Sequence, residues 1–407
     1  MKVIIVGDLS LRDGPSIRIL NMLPYLSKLC EIKFVVLGPL NNDFQKVFHK
    51  LGIHSYSVQY TEWGWFIRHR RKTLRNIIKV IDKETPDIVV LSREIWDLMA
   101  GLSPVLMKKR IPFAVVVHSV PFVDAPPKPS NLRADVFRKL ILEDNFLVKL
   151  HLLVRLPQLT NVLRGINIIV INETVDYYLS TYFTDLTLIP AIPGYAINKA
   201  ETAIATRSVK TFDLAYMCRL EYGKGLFEIP KILEHIRKMK KDIKILVIGE
   251  FAELLEKRKF LRQLAIRKMS PNIKFAGWVD GNKKYSLLRE AKVFLYPSLT
   301  SDTFSISLLE ALACGLPAIC YDVPFARIIY RTPAVQRVPY RRPKEIALLA
   351  LKLLSDEEKL SQLSCEAKRF SLKYSSWEKV AEVEYQAYRK ICERNGLPSD
   401  RDSKTRR

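Results

Sequence analysis

Short aliphatic runs alternate along the chain with segments whose apolar residues recur at helical spacing. Lys2–Val6 is a β-branched run that predicts a strand, followed by the loop GDLSLRDGPS. Ile17, Leu20, Leu23, Leu26 and Leu29 then recur as one face of a helix. Ile32–Leu37 predicts a second buried strand, closed by Gly38 and Pro39. The alternation continues with a helix around Leu74–Ile81, a strand Ile88–Leu91, a helix Trp96–Leu106 and a strand Pro112–Val117. Ile166–Ile171 and Leu186–Ile189 read as further strands. Continuous short apolar strands between helices are the pattern of a parallel sheet covered on both faces.

The pattern lapses in the polar stretch Asn198–Thr211, which predicts a domain boundary, and then restarts. Strands are expected at Phe212–Tyr216, Ile243–Ile248, Ile273–Phe275, Val293–Tyr296 and Pro317–Cys320. Helices are expected up to Lys240, at Leu254–Lys268, at Lys283–Ala291 and at Ile306–Cys314. Pro343–Cys392 is helical throughout, and Ser376, Trp377 and Glu378 open its last helix. The expected architecture is α/β, with two Rossmann-like doubly wound domains facing across a cleft. Residues 1–198 form the first domain, completed by the helix at about 376–395. Residues 199–375 form the second, and 396–407 form a disordered basic tail.

Composition narrows the class. The chain has 407 residues, 48% hydrophobic and 27% charged, the balance of a folded globular protein. Its six cysteines include no CxxC pair, which disfavours a structural zinc site or a disulfide framework and fits a reducing cytosol. The opening MKVIIVGDLS is too short in its apolar run for a signal peptide, and no window is apolar enough to span a bilayer. The expected location is cytoplasmic, peripheral at the inner membrane face. The formal net charge of +24 favours an anionic partner. The excess is dispersed: residues 1–200 carry 26 Lys+Arg against 17 Asp+Glu, and the remainder 40 against 25.

Paired α/β domains bind ligands where strand carboxyl ends lead into helix N-termini. The loop after the first strand holds Gly7 and Gly14 but no GxGxxG fingerprint. Gly14-Pro15-Ser16 can bring backbone amides to an anion, or can simply be a turn with Ser16 as the helix cap. In RLEYGKG, Arg219 and Lys224 flank Gly223, with Gly225 following. A forked guanidinium and a point ammonium there suit a diphosphate. In PSLTSDTFSISLLEALACGLP, Asp302 lies eight residues before Glu310. The amides of Phe304, Ser305 and Ile306 are expected at a helix start near Thr303, open to phosphate. Glu310, two turns in, could accept from ribose hydroxyls. His118 ends strand 112–117, in reach of the expected cleft.

These residues together resemble GT-B glycosyltransferases of family 4, retaining and nucleotide-sugar dependent (glycosyltransferases group 1). RLEYGKG resembles that family's Arg-x4-Lys-Gly element, with Arg219 and Lys224 in register. FAGWV at 275–279 resembles the turn that contacts the donor base, which brings in Trp278 and Val279. Asp302-x7-Glu310 sits on its E-x7-E element, GDLSLRDGPS on its N-terminal glycine loop, and His118 where the family often has a histidine. The sequence departs from the pattern in three places. Asp302 replaces a glutamate, Thr303-Phe304-Ser305 replaces Gly-Phe-Gly with Pro15 where a second glycine is usual, and AIPGYAIN at 191–198 replaces the Asn-Gly-Val-Asp turn. The resemblance implies that Arg219 and Lys224 stabilise the leaving nucleoside diphosphate, aided by the Ser305 and Ile306 amides. It implies that Glu310 holds ribose, that Asp302 holds donor-sugar hydroxyls and that His118 orients sugar or phosphate. No cofactor is implied beyond the nucleotide-diphosphate sugar itself, and with no DxD at a strand end a metal-bridged mechanism is not indicated.

For the acceptor, Trp63, Trp65 and Phe66 precede Arg68, His69, Arg70, Arg71 and Lys72, and Val136–Leu163 interleaves aliphatics with cations. Either stretch suits an anionic membrane surface and a lipid-linked or cell-envelope glycan acceptor, or is an ordinary amphipathic helix on its own core. The expected function is retaining transfer of a hexose from a nucleotide sugar to such an acceptor. The alternatives are a sugar-nucleotide epimerase of related architecture, and a non-catalytic nucleotide-sugar or nucleic-acid binding protein. The cations do not cluster with aromatics on a recognisable nucleic-acid module.

Overall fold

A computed structural model describes residues 1–9, 13–60, 67–119, 131–142, 161–198, 209–300 and 303–396, with side chains at 67–70, 96–97 and 138–142 left aside. The chain divides into two compact units. The first takes in the described residues before Ile197 and the returning helix Trp377–Arg394; the second runs from Ile197 to Ser376.

The first unit holds a seven-stranded sheet of β1 (Lys2–Gly7), β2 (Glu31–Leu37), β3 (His54–Val58), β4 (Ile88–Leu91), β5 (Phe113–Val117), β6 (Asn167–Val170) and β7 (Thr187–Pro190). The spatial order is β3-β2-β1-β4-β5-β6-β7, and every paired register is parallel. Strand order reverses between β1 and β4, so the loops that leave these two strands open the crevice where doubly wound sheets take ligands. β4 and β5 are buried at every position, which is why they read as uninterrupted apolar runs.

The helix Gly14–Leu26 turns a different face inward from the one its leucines suggest. Ile19, Met22, Leu23 and Leu26 are buried with Ser16 and Arg18, while Leu29 lies past the helix and is exposed. The reason is Arg18. It is fully buried, its Nε donates to the Gly194 carbonyl at 2.6 Å, and its Nη2 meets Glu384 Oε2 at 2.5 Å. Glu384 lies on the helix Trp377–Arg394 and accepts from Tyr388 at 2.8 Å, so a buried ion pair fastens the end of the chain to its first helix. A Cβ on Gly194 would lie 2.4 Å from the Ile171 carbonyl oxygen, so only glycine lets this backbone approach so closely.

The second unit holds β8 (Phe212–Met217), β9 (Ile245–Ile248), β10 (Ile273–Gly277), β11 (Ala291–Tyr296), β12 (Ala318–Tyr321) and β13 (Val335–Val338), in the order β10-β9-β8-β11-β12-β13. Here the order reverses between β8 and β11, which pair in parallel. The edge strands β3, HSYSV, and β13, VQRV, carry polar residues and are only partly covered. They lack the continuous apolar run that marks the central strands, and periodicity alone passes over them. Among the described residues no helix is long and apolar enough to cross a membrane.

Candidate functional site

In the second unit the loops after β8 and β11 meet at the point of strand-order reversal. Tyr222–Lys224 forms a single 3-10 turn after Arg219, ended by Gly225 in the left-handed region at φ 80°. A Cβ there would lie 1.9 Å from the Pro297 carbonyl oxygen, so glycine is required both for the turn and for the approach of the β11 loop. Leu299 and Thr300 donate their amides to the Gly223 carbonyl at 2.9 and 3.0 Å, and Ser298 Oγ donates to the same oxygen at 3.3 Å. Tyr216, on β8, donates to the Lys224 carbonyl at 3.1 Å. The backbone under Lys224 is therefore fixed from two sides, independently of its side chain. Arg219 is exposed and lies bidentate on Glu221, Nε to Oε2 at 2.7 Å and Nη2 to Oε1 at 3.0 Å. Glu221 was not picked out from the sequence. Its signal is a carboxylate two residues from Arg219 in the same loop.

The helix after the β11 loop is Ile306–Ala313, where the apolar pattern places it and three residues past the start near Thr303 that the loop suggested. Ser305 is its cap: its buried hydroxyl accepts from the Leu308 amide at 3.2 Å, and its carbonyl accepts from Tyr330 at 2.5 Å. The amides of Ile306 and Ser307 thus begin the helix ahead of its first internal bond, with the dipole's positive end behind them. Phe304 packs against Tyr330 and Tyr374, at ring-centroid distances of 6.0 and 5.8 Å, and so belongs to the wall of the unit. Asp302 lies outside the described residues. Leu308, Leu309 and Leu312 are fully buried, as the apolar pattern predicts, and Glu310 is nearly so at 8% exposure. Trp278 is 44% exposed just past β10, and Val279 beside it packs on the core.

Glu310 has partners that the sequence did not reveal. Lys284 Nζ lies 2.5 Å and Tyr285 Oη 3.3 Å from its Oε1. Both donors sit on the helix Gly281–Arg289, 25 and 26 residues away in sequence, and no local pattern pairs them with Glu310.

In the first unit Gly14 begins the helix Gly14–Leu26, but the cap is Asp13, whose side chain accepts from the Ser16 amide at 3.0 Å. Ser16 is therefore the donor at this helix start and not its cap. Asp13 is also bound by Arg93 from the loop after β4, and that cation holds its carboxyl below the ordinary range against the opposing effect of burial. The two loops at the strand-order reversal of this sheet are thereby joined. Glu94 in turn accepts from the His118 and Ser119 amides at 3.0 and 2.9 Å.

His118 follows β5 and is buried, with both ring nitrogens engaged inside its own unit. Nε2 lies 2.9 Å from the Ser92 carbonyl and must carry the proton, since a carbonyl only accepts; Nδ1 then accepts from Tyr195 at 2.9 Å. Burial, and secondarily the charge of Arg18, pushes its pKa down to about 3. The folded state thus holds His118 neutral while the unfolded chain protonates near 6.5. Its contribution to stability is full above pH 6.5 and is lost as pH falls toward 3. Urea unfolding should show wild-type stability dropping from pH 7 to pH 5 by about 2 kcal/mol more than in His118→Asn. An equal pH dependence in both proteins would show that the imidazole charges in the folded state.

Of the basic and aromatic stretches, Trp63, Trp65 and Phe66 lie outside the described residues, as does most of Val136–Leu163. The helix Ile67–Glu84 buries Ile77 and Ile81 and exposes Arg71, Lys72, Arg75 and Lys79. The tail beyond 396 and the linker at 199–208 also lie outside.

Residues 199–370 match the family model described as glycosyl transferases group 1. An uncharacterized glycosyltransferase of Methanocaldococcus jannaschii is 25% identical over 235 residues, 56% of this chain and 58% of that protein. A phosphatidyl-myo-inositol mannosyltransferase of Mycolicibacterium smegmatis is 30% identical over 118 residues, 29% of each chain. The chain thus spans between about a quarter and three-fifths of the curated relatives it matches. Among solved structures, Anabaena HepE in complex with UDP-glucose superposes with a TM-score of 0.68 at 12% identity, covering 97% of this chain and 100% of that one. Residues 199–370 are thus similar to the glycosyl transferases group 1 family, and the chain has the fold of two Rossmann-like, parallel-sheet domains seen in GT-B glycosyltransferase structures.

Proposed function

We propose that this protein is a retaining, metal-independent glycosyltransferase that moves a hexose from a nucleotide-diphosphate sugar to a lipid-linked or cell-envelope acceptor at the membrane surface. The observation that carries the reading is the RLEYGKG loop. It presents Arg219 and Lys224 at the strand-order reversal of the second sheet, bonded to the loop that leads into the helix Ile306–Ala313. As the glycosidic bond breaks, negative charge grows on the leaving diphosphate. Fixed cations there bind the transition state more tightly than the ground state, which is the condition for acceleration. Arg219 exchanges Glu221 for phosphate oxygens, and the Ser305 and Ile306 amides contribute dipoles. Glu310 takes ribose, Trp278 and Val279 border the base, and Asp302 takes donor-sugar hydroxyls. His118, with both nitrogens bound within its unit, acts by holding the Ser92 and Tyr195 walls near the Gly14 loop.

The donor class draws support from the UDP-glucose bound to HepE, and the lipid acceptor from the name of the mycobacterial relative. The exposed cations of the helix Ile67–Glu84 suit an anionic surface, at about 1 kcal/mol per cation close to the lipid. The test is transfer and donor hydrolysis with a panel of UDP-, GDP- and ADP-sugars, with product anomers read by NMR. Turnover with retention is expected for one base. Conversion of the sugar nucleotide without acceptor would favour the epimerase reading, and no turnover with any donor would overturn the proposal. Flotation with phosphatidylglycerol against phosphatidylcholine vesicles tests the membrane part; equal recovery on both would remove it.

A further inference from the structure

The geometry around Glu310 is asymmetric. Both of its donors, Lys284 Nζ at 2.5 Å and Tyr285 Oη at 3.3 Å, converge on Oε1. Oε2 accepts from no described residue, and it is not among the buried atoms left without a partner. A carboxylate has about four acceptor positions, so two remain on this second oxygen, which is not fully buried. Lys284 is itself held: only 18% of its side chain is exposed, and its ammonium lies 4.8 Å from the centre of the Tyr285 ring. A lysine restrained in this way fixes a carboxylate by charge and direction together.

We propose that Lys284 is a positioning residue that sets the preference of the site for ribonucleoside diphosphates over deoxyribonucleoside diphosphates. It rests on the reading of Glu310 as the ribose-binding carboxylate. Lys284 takes one oxygen and stops the group rotating. The other oxygen then stands ready for a hydroxyl of the ribose diol. Without Lys284 the carboxylate turns to water or shares its oxygens with Tyr285, and the hydroxyl loses a charged acceptor. Tyr285, a weaker and longer donor, cannot hold the carboxylate alone.

The experiment is calorimetric titration of the full chain with UDP, 2′-deoxy-UDP and 3′-deoxy-UDP, and with the GDP and ADP series in parallel. For the preferred base, the wild-type protein should favour the ribo form over one of the deoxy forms by roughly tenfold, the size of one hydrogen bond to a charged group. Lys284→Met should weaken the ribo form by about the same factor and leave that deoxy form within roughly twofold, so that the preference collapses. Glu310→Gln should do the same, the double variant should add nothing further, and Lys284→Arg should keep part of the preference. A parallel loss for ribo and deoxy forms, or a preserved ratio, would overturn the proposal and leave the donor reading standing. If the wild-type protein binds none of these diphosphates, the donor reading falls and takes the proposal with it. Should the methionine variant fail to fold, Lys284→Gln provides the same comparison.

Discussion

Replacing Lys224 with alanine should lower the rate of glycosyl transfer by roughly 10²–10³-fold, the usual effect of deleting one preorganised group opposite developing charge. The loop should survive the change. Its shape is set by backbone groups: Gly225 in the left-handed region, the Gly223 carbonyl bonded by Leu299 and Thr300, and the Lys224 carbonyl bonded by Tyr216. The lysine side chain supplies none of these. A melting temperature within about 2 °C of wild type should therefore accompany the loss of rate, since an exposed or half-buried lysine away from the core typically changes stability by no more than ~0.5 kcal/mol. The loss should fall on kcat more than on KM, because the charge that Lys224 meets is larger in the transition state than in the bound donor. A rate within threefold of wild type would mean that the diphosphate leaves against other groups. Arg219→Ala should lose less in binding free energy than its charge suggests. Donor binding by the wild type must first release Arg219 from Glu221, and the variant is spared that step.

Arg18→Met should destabilise the first domain by about 3–5 kcal/mol, because it leaves Glu384 buried without its counter-ion. The loss should appear as an earlier transition in urea, followed by a probe in the first domain, such as hydrogen exchange in β1. Replacing both partners, Arg18→Met with Glu384→Leu, should restore much of the stability, since an apolar pair of similar volume is often neutral or better. Arg18→Lys should lie between, keeping the charge but not the fork that reaches Gly194 and Glu384 together. Equal destabilisation by the single and double replacements would show that side-chain shape, and not charge, is what the position requires. The pair also bears on function. Arg18 follows Gly14 by one helical turn, and its charge is one of the causes that keep His118 neutral.

Most of the central strands and the order of the elements were legible in the sequence, because a strand buried on both faces has to be apolar at every position. The same rule hid β3 and β13, whose outer edge is open to water and whose composition is mixed. The reading of Ser16 as cap at the first loop and of a helix start near Thr303 at the second both shifted for one reason. Asp13 and Ser305 compete with neighbours of equal capping propensity, and the choice is made by which backbone amides the packed loop turns toward them.

By itself, then, the sequence determined two parallel α/β sheets and the loop that carries Arg219 and Lys224. These depend on periodicity and on residue types within a dozen positions. Only the tertiary structure decided which charges face one another. Glu310 with Lys284, Arg18 with Glu384, and His118 with Ser92 and Tyr195 are separated by 26, 366, 26 and 77 residues. A buried charge or imidazole must find its partner wherever the fold brings one within hydrogen-bond reach, and chain distance carries no information about that.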